Sequence, residues 1–216
     1  MSARKSRAIC VSVNYWSAFA DATMAMLLLL IFFIFVQFLA NSRVLARLMI
    51  ESRQQEMAVA LKSSLGEDAG YMTIVVDGNL QRLRFSDAIL FDVGDDTLKE
   101  GGKRVLRKVA EQLLMHHDWV SEIQIEGHTD NQPIVRSRFP SNWELSSARA
   151  TSVVRFFQDS VMLNPARYPL SATGRSEYVP VEAPRADDDP TTVEKVHRKN
   201  RRVEIILIYS EKDMAI

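Results

Sequence analysis

The chain has 216 residues, and its 27 Lys and Arg are balanced by 27 Asp and Glu. A surface that binds phosphates usually shows as an excess of basic residues, so this balance argues against nucleic acid as a partner. The single cysteine, Cys10, excludes an internal disulfide framework. The length accommodates one folded domain of ordinary size and a further segment.

The N-terminal part is predicted to be a basic tail, 1–14, followed by a transmembrane helix, 15–40. From Ala18 to Ala40 the sequence contains one charged residue, Asp21. A helix of about 23 residues is long enough to cross a hydrocarbon core about 30 Å thick. The sequence therefore predicts a single membrane span.

This apolar run also imitates a secretory signal, because basic residues precede it. A signal peptide's apolar region is usually about 7–15 residues long and ends in a small-x-small cleavage site. The run is longer than that, and the stretch from Gln37 to Ser42 is a poor site, so a retained anchor is favoured. Basic residues flank both ends of the run, and the positive-inside rule therefore gives little indication of its orientation.

The next segment, 41–69, is predicted to link the span to a folded domain. Its composition is polar and helix-prone, and apolar residues recur at helical spacing, which indicates an amphipathic connecting helix. The stretch from Gly66 to Gly70 is expected to close this helix. The apolar residues are Val44, Leu45, Leu48, Met49, Met57, Val59 and Leu61.

Residues 70–211 are predicted to form an α+β domain, followed by a short tail, 212–216. Alternating apolar residues and turn signals predict the strands, and 3.6-residue spacing predicts the helices. Ser141 with Glu144 fits a helix-capping box. The predicted strands are 72–76, 82–85, 122–127 and 203–209, of which the last is apolar enough for a central strand, and the predicted helices are 98–115 and 142–159.

Asp21 is the first candidate functional residue. A carboxylate in a lipid-facing span costs a few kcal/mol or more, so such residues usually face a protein interior or an ion path. Asp21 could bind and release a proton or a sodium ion. It could equally be a charge that reaches back to the headgroups or pairs with another group, and the residues alone leave both interpretations open.

A second candidate site follows the strand that ends at Gly127. Asp130 can accept hydrogen bonds from an ammonium group, and Arg149, on the helix that starts near Asn142, can bind a carboxylate with two hydrogen bonds. Together they suit the zwitterionic end of an amino acid. An internal ion pair between Asp130 and Arg149 that only supports the fold is the alternative, and the chemistry alone does not separate the two.

These motifs carry a family resemblance. The stretches 125–131, 141–150 and 199–205 closely resemble OmpA-like peptidoglycan-binding domains, and Ser141 to Ser146 is similar to the form found in flagellar motor B subunits, the MotB family. The resemblance implies a mixed β-sheet with helices packed on one face. It also implies that Asp130 and Arg149 bind the diaminopimelate of the peptidoglycan stem peptide, with Asn142 and Arg201 as supports.

The resemblance extends to the span, where Trp16, Phe19, Ala20, Asp21 and Met24 are similar to the MotB pattern. It implies that Asp21 carries a proton or sodium ion. It further implies a homodimer inside a pentamer of polytopic A subunits in the bacterial inner membrane, with the N-terminus cytoplasmic and the C-terminal domain periplasmic. It implies no cofactor other than the translocated proton or sodium ion.

The sequence departs from the flagellar pattern in two places. Ala22 and Thr23 follow Asp21 where flagellar members more often carry larger apolar residues, and the connector is short. The B subunit of the Zorya anti-phage defence system has a similar compact layout. Val44 to Met57 is either a plug helix or a plain linker. A static tether between membrane and wall, without ion transport, is the alternative to a motor.

Enzymatic activity is not expected. The sequence contains no Gly-rich phosphate loop and no serine-nucleophile elbow. No metal site is expected either, because His128 and Asp130 fall short of a ligand set and the adjacent His116 and His117 point about 100° apart on a helix.

Overall fold

The computed structural model describes residues 15–116, 118–134 and 138–210, apart from the side chains of residues 42 and 43. The predicted tails, 1–14 and 212–216, and His117 lie outside the described residues. The chain divides into two units, Met1–Leu45 and Ala46–Ile216.

Helix α1, Tyr15–Leu65, covers both the predicted span and the predicted connecting helix as one continuous helix of 51 residues. This stretch contains no Gly or Pro, the two residues that most disfavour a helix interior. Gly66 follows with a positive φ of 58°, a conformation that commonly ends helices. A short 3₁₀ helix, Gly66–Tyr71, then leads into the sheet.

The second half of α1 belongs to the core of the C-terminal unit. Its buried residues recur every three or four positions, which is the spacing of one helix face; they are Ile50, Gln54, Met57, Leu61 and Leu65. The domain was predicted to begin at residue 70, whereas the unit found in the structure begins at Ala46. Met57 and Leu61 lie on the buried face as part of the predicted apolar set, but Val44, Leu45, Leu48, Met49 and Val59 are exposed.

A buried chain of hydrogen bonds fixes this half of α1 to the sheet. The Gln81 side-chain amide donates to the Gln54 backbone carbonyl at 2.8 Å, and the Tyr209 hydroxyl donates to Gln81 Oε1 at 2.6 Å. The Gln54 amide donates to the Gly78 carbonyl at 3.1 Å. These hydrogen bonds specify how the helix is placed on the strands.

The sheet has five strands in the order β1-β2-β5-β3-β4. Strands β3 and β4 are parallel, and the other neighbours are antiparallel. The apolar last strand lies at the centre, as predicted. The strands are β1, Met72–Asp77; β2, Leu80–Ser86; β3, Val120–His128; β4, Leu170–Gly174; and β5, Arg202–Tyr209.

Within the described residues, four more α-helices follow α1: α2, Asp87–Leu90; α3, Glu100–Met115; α4, Asn142–Asp159; and α5, Pro190–Asn200. Helices α1 to α4 contribute buried side chains to one core, together with one alternating set of strand residues. The opposite side of the strands carries charged residues, among them Arg84, Glu126 and Glu204. The α+β architecture with a mixed sheet, preceded by a long apolar helix, confirms the predicted fold class.

Candidate functional site

The antiparallel pairing around β5 brings three distant parts of the chain together where β2 and β3 end and β5 begins. Ser86 at the end of β2 and His128 at the end of β3 both pair with Arg202, the first residue of β5. The residues that follow β2 and β3 therefore lie close to the residue that precedes β5. These residues include Asp87, Asp130 and Arg201.

The start of helix α4 packs very closely against the C-terminal ends of β3 and β4. A Cβ atom on Gly127 would lie 2.1 Å from the Ser146 carbonyl oxygen, and one on Gly174 would lie 2.2 Å from Ser147 Oγ. Only glycine permits this approach of helix to strands. The Ser141 hydroxyl accepts a hydrogen bond from the Trp143 backbone at 3.1 Å, which confirms the predicted helix cap.

Asp130 is buried and forms an ion pair with Arg201, which was predicted to be a supporting residue of the site. The distance from Asp130 Oδ2 to Arg201 Nη1 is 2.5 Å, and Asp130 Oδ1 accepts from the Gln132 backbone at 3.2 Å. Arg201 also contacts Glu194 at 2.8 Å. Burial lowers the pKa of the Arg201 guanidinium, but its hydrogen bonds to Glu194 and Asp130 outweigh burial and leave the pKa raised.

Arg149 is 2% exposed, and protein groups surround its guanidinium. Its Nη1 contacts Asp87 Oδ2 at 3.2 Å, while Nε and Nη2 donate to the carbonyls of Asp95 and Asp92 at 2.9 and 3.1 Å. It also lies over the Phe91 ring, 5.2 Å from the centroid. Arg149 therefore pairs with Asp87 rather than with Asp130, which pairs with Arg201.

Asp87 joins the two arginines, although it lies in none of the sequence motifs that predicted the site. Besides its contact with Arg149, its Oδ1 lies 4.0 Å from Arg201 Nε. Burial raises the pKa of the Asp87 carboxyl more than the attraction of Arg149 and Arg201 lowers it. Asp87, Asp130, Arg149 and Arg201 thus form one cluster of alternating charge, here called the charge cluster.

Asn142 holds the backbone beside the charge cluster. Its side-chain amide donates to the carbonyl of Asp130 at 3.2 Å and to that of Gln132 at 3.1 Å. It therefore fixes the turn that follows β3 against the start of α4. The structure brings together all four residues predicted for the wall-binding site, and the Asn142 side chain contacts the backbone carbonyl of Asp130 rather than its carboxylate.

Asp21 lies in the other unit, on the exposed surface of α1 within the apolar run. Close by, the Thr23 hydroxyl donates to the Ala20 carbonyl at 2.9 Å. By length and composition, this helix could cross a membrane.

A separate polar group lies on the charged side of the sheet. Ligand atoms of Glu126, His128 and Glu204 all lie within 4.8 Å of one another, a spacing that a metal ion could bridge. Arginines already bind both carboxylates, with Arg175 at 2.5 Å from Glu126 and Arg202 at 2.7 Å from Glu204. A cation would compete with these guanidinium groups, so the residues do not fit a metal ion well.

Contacts within this group shift the pKa values of its members. The neighbouring His128 and then Arg175 lower the pKa of Glu126 from 4.5 to about 2. Burial lowers the pKa of the His128 imidazole, because the protonated ring would lose its hydration.

Comparison with known families identifies the C-terminal unit. The model of the OmpA family matches residues 90–209, which is more than half of the chain. The chain belongs to the OmpA family. Its OmpA-like domain contains the whole charge cluster except Asp87, which lies just before the matched region.

Two curated relatives come from Bacillus subtilis. The chain is 36% identical over 125 residues to Uncharacterized protein YtxE and 31% identical over 126 residues to Motility protein B. Each match covers 58% of this chain, and 47% and 44% of the two relatives, so it spans less than half of their length.

A crystal structure of a putative MotB-like protein from Desulfovibrio vulgaris has the same fold. Its TM-score is 0.64 at 29% identity, with 77% of this chain and 99% of that chain covered. The chain is thus a member of the OmpA family that is similar to MotB-type proteins in sequence and in fold.

Proposed function

We propose that this protein is the B subunit of an ion-driven rotary motor and that its OmpA-like domain binds the peptidoglycan stem peptide. The observation that carries the proposal is the charge cluster at the end of β2 and β3. Diaminopimelate carries an ammonium and a carboxylate on the same carbon. A pair of acids interleaved with a pair of arginines can bind both groups.

The burial of the cluster indicates how a ligand would enter. Arg149 and Asp87 are buried, whereas the Arg201 side chain is partly exposed and has Glu194 as a second partner. The ligand's ammonium would take the place of Arg201 at Asp130. Arg201 would then bind the ligand's carboxylate, and Arg149 would supply positive charge from behind.

Sedimentation with purified cell walls tests the binding. The full chain in detergent should co-sediment with diaminopimelate-type peptidoglycan, and Asp130→Asn or Arg201→Gln should reduce the bound fraction at least tenfold. Arg155→Ala, an exposed arginine on the same helix α4, is the matched control and should bind normally. Full binding by Asp130→Asn would show that the charge cluster is not the wall site.

We propose that α1 crosses the bacterial inner membrane once, with a cytoplasmic N-terminus and a periplasmic domain. The single cysteine, Cys10, is a natural reporter. A membrane-impermeant thiol reagent should label it only after the membrane is permeabilised. Val93→Cys in a Cys10→Ser background should be labelled in intact spheroplasts, since Val93 is fully exposed in the domain.

We propose that Asp21 binds and releases the proton or sodium ion, in a homodimer surrounded by a pentamer of polytopic A subunits. The support is a lone carboxylate in the apolar stretch of α1. Asp21→Asn should keep assembly and wall binding but abolish motor work, whereas Thr23→Ala should keep all three. A working Asn variant, or a dimer that purifies without a partner, would favour the static tether. The prediction is the same for a flagellar motor and for an anti-phage motor. The two are distinguished by whether Asp21→Asn abolishes swimming or defence against phage.

A further inference from the structure

Two large aromatic side chains lie stacked on the surface beside the charge cluster. The ring centroids of Trp143 and Tyr178 are 5.5 Å apart, with an angle of 27° between the planes. Trp143 is 49% exposed and Tyr178 is 67% exposed. Exposed aromatic pairs of this kind are enriched where proteins bind ligands, because they offer a large rigid surface that water solvates poorly.

The backbone around both rings is held in place. Trp143 is the second residue of α4, next to the Ser141 cap. Tyr178 lies two residues after Ser176, a buried residue with a left-handed φ of 52°. The Ser176 backbone N–H donates to Ser146 Oγ at 3.2 Å, and its carbonyl accepts from the Thr129 backbone at 3.0 Å. A non-glycine residue persists in this conformation only where its surroundings impose it, so the backbone beside Tyr178 is fixed by its contacts with β3 and α4.

A cleft of about 310 Å³ lies against this pair. That volume is at the lower end of the range for small-molecule sites, about 300–1,000 Å³. Its lining combines the two rings with polar groups, namely Asn131, Ser141, Asn142, Ser176 and Glu177. A pyranose ring has the matching chemistry, because its carbon-bound hydrogens pack on aromatic faces while its hydroxyls need hydrogen-bonding partners.

One residue, Asn142, contacts both the cleft and the charge cluster. Asn142 lines the cleft and also donates to the Asp130 carbonyl. In peptidoglycan the stem peptide is attached to an amino sugar of the glycan strand. A ligand that binds at Asp130 through its peptide therefore carries a sugar on the same molecule.

We propose that Trp143 and Tyr178 form a sugar subsite that stacks on a pyranose ring of the glycan strand. This inference rests on the proposed binding of the stem peptide. It adds a second determinant, so that the domain recognises the junction of glycan and peptide rather than the peptide alone.

Two ligands that differ only in the sugar test the subsite. Titration calorimetry of the full chain in detergent compares a diaminopimelate-containing tripeptide with the same tripeptide on its disaccharide. The wild type should bind the disaccharide form roughly threefold to tenfold more tightly, the gain expected from aromatic stacking. Trp143→Ala and Tyr178→Ala should lose that gain and keep the affinity for the tripeptide. Tyr71→Ala, at a tyrosine exposed away from the cleft, should retain it.

The outcomes separate the two proposals. Equal affinity for both ligands in the wild type, or a gain that survives in both alanine variants of the aromatic pair, overturns the subsite and leaves peptide binding intact. Failure of the folded wild type to bind either ligand overturns stem-peptide binding and the subsite together. A thermal melt of each variant verifies that it is folded.

Discussion

Arg149 on α4 and Asp87 at the start of α2 form a buried ion pair, 3.2 Å from Nη1 to Oδ2, between residues 62 positions apart in the chain. Because Arg149 pairs with Asp87, Asp130 pairs with Arg201, whose side chain is more exposed than that of Arg149. The cluster thus has a buried half that is fixed by the fold and an outer half whose partners a ligand can exchange.

Asp87→Asn should strongly destabilise the domain. It would leave the Arg149 guanidinium buried without an anionic partner, which typically costs about 3–5 kcal/mol. Urea denaturation measures the change in the free energy of unfolding. Asp92→Asn is the matched control, because the Asp92 side chain is exposed and its ion pair with Lys99 should contribute less than about 1 kcal/mol. Equal effects of the two substitutions would contradict the structural role of the buried pair.

Gly127→Ala should destabilise the fold by at least about 2 kcal/mol. The new methyl group would lie 2.1 Å from a backbone carbonyl of α4, so the helix would have to move. Because α4 carries Asn142 and Arg149, the shift should also weaken wall binding. Thermal unfolding provides the measurement. Gly70→Ala, where a Cβ atom would meet nothing within 4 Å, should be close to neutral.

Met57→Ala should cost about 2–5 kcal/mol, since Met57 is 0% exposed and its removal leaves a cavity in the core. Val59→Ala, two positions along the same helix, should change stability by less than about 0.5 kcal/mol because Val59 is 57% exposed. The comparison uses chemical denaturation of both variants. A small effect of Met57→Ala would place this half of α1 outside the domain, where the sequence had placed it.

The domain should lose stability as the pH falls from about 4.5 to about 2. Glu126 has a pKa lowered from 4.5 to about 2 in the folded state, so the unfolded chain binds more protons in this interval. Stability rises with pH wherever the unfolded state holds more protons, and acidification therefore favours unfolding. Melting temperatures measured across this interval should fall less steeply for Glu126→Gln. Identical slopes would rule out Glu126 as a contributor.

Sequence patterns predicted the elements with strong periodicity and missed α2, β4 and α5. Helix α2 has four residues, too few to show a period. The apolar run 203–209 indicated a central strand, and β5 occupies the centre of the sheet. Strand β4 is short and partly exposed on both faces, so it shows no alternation. Helix α5 is mostly polar, and its start is marked by Asp189 as cap and Pro190 in the first turn, a signal that was available.

The site was predictable to the extent that it lies in local motifs. Asp130, Asn142, Arg149 and Arg201 belong to stretches that carry the family resemblance. Asp87 lies outside them, and its proximity to Arg149 arises because β2 and β3 both pair with β5. That relationship depends on the order of strands in the sheet, which no local pattern contains.

The hydrogen-bonded chain from Gln54 through Gln81 to Tyr209 has a mechanical consequence. It connects α1 to β2 and to the central strand β5 rather than to an edge strand. A pull on the helix is thereby delivered to the middle of the sheet, where strands are bonded on both sides. Detaching the helix therefore requires breaking these buried hydrogen bonds together with the apolar contacts of its buried face.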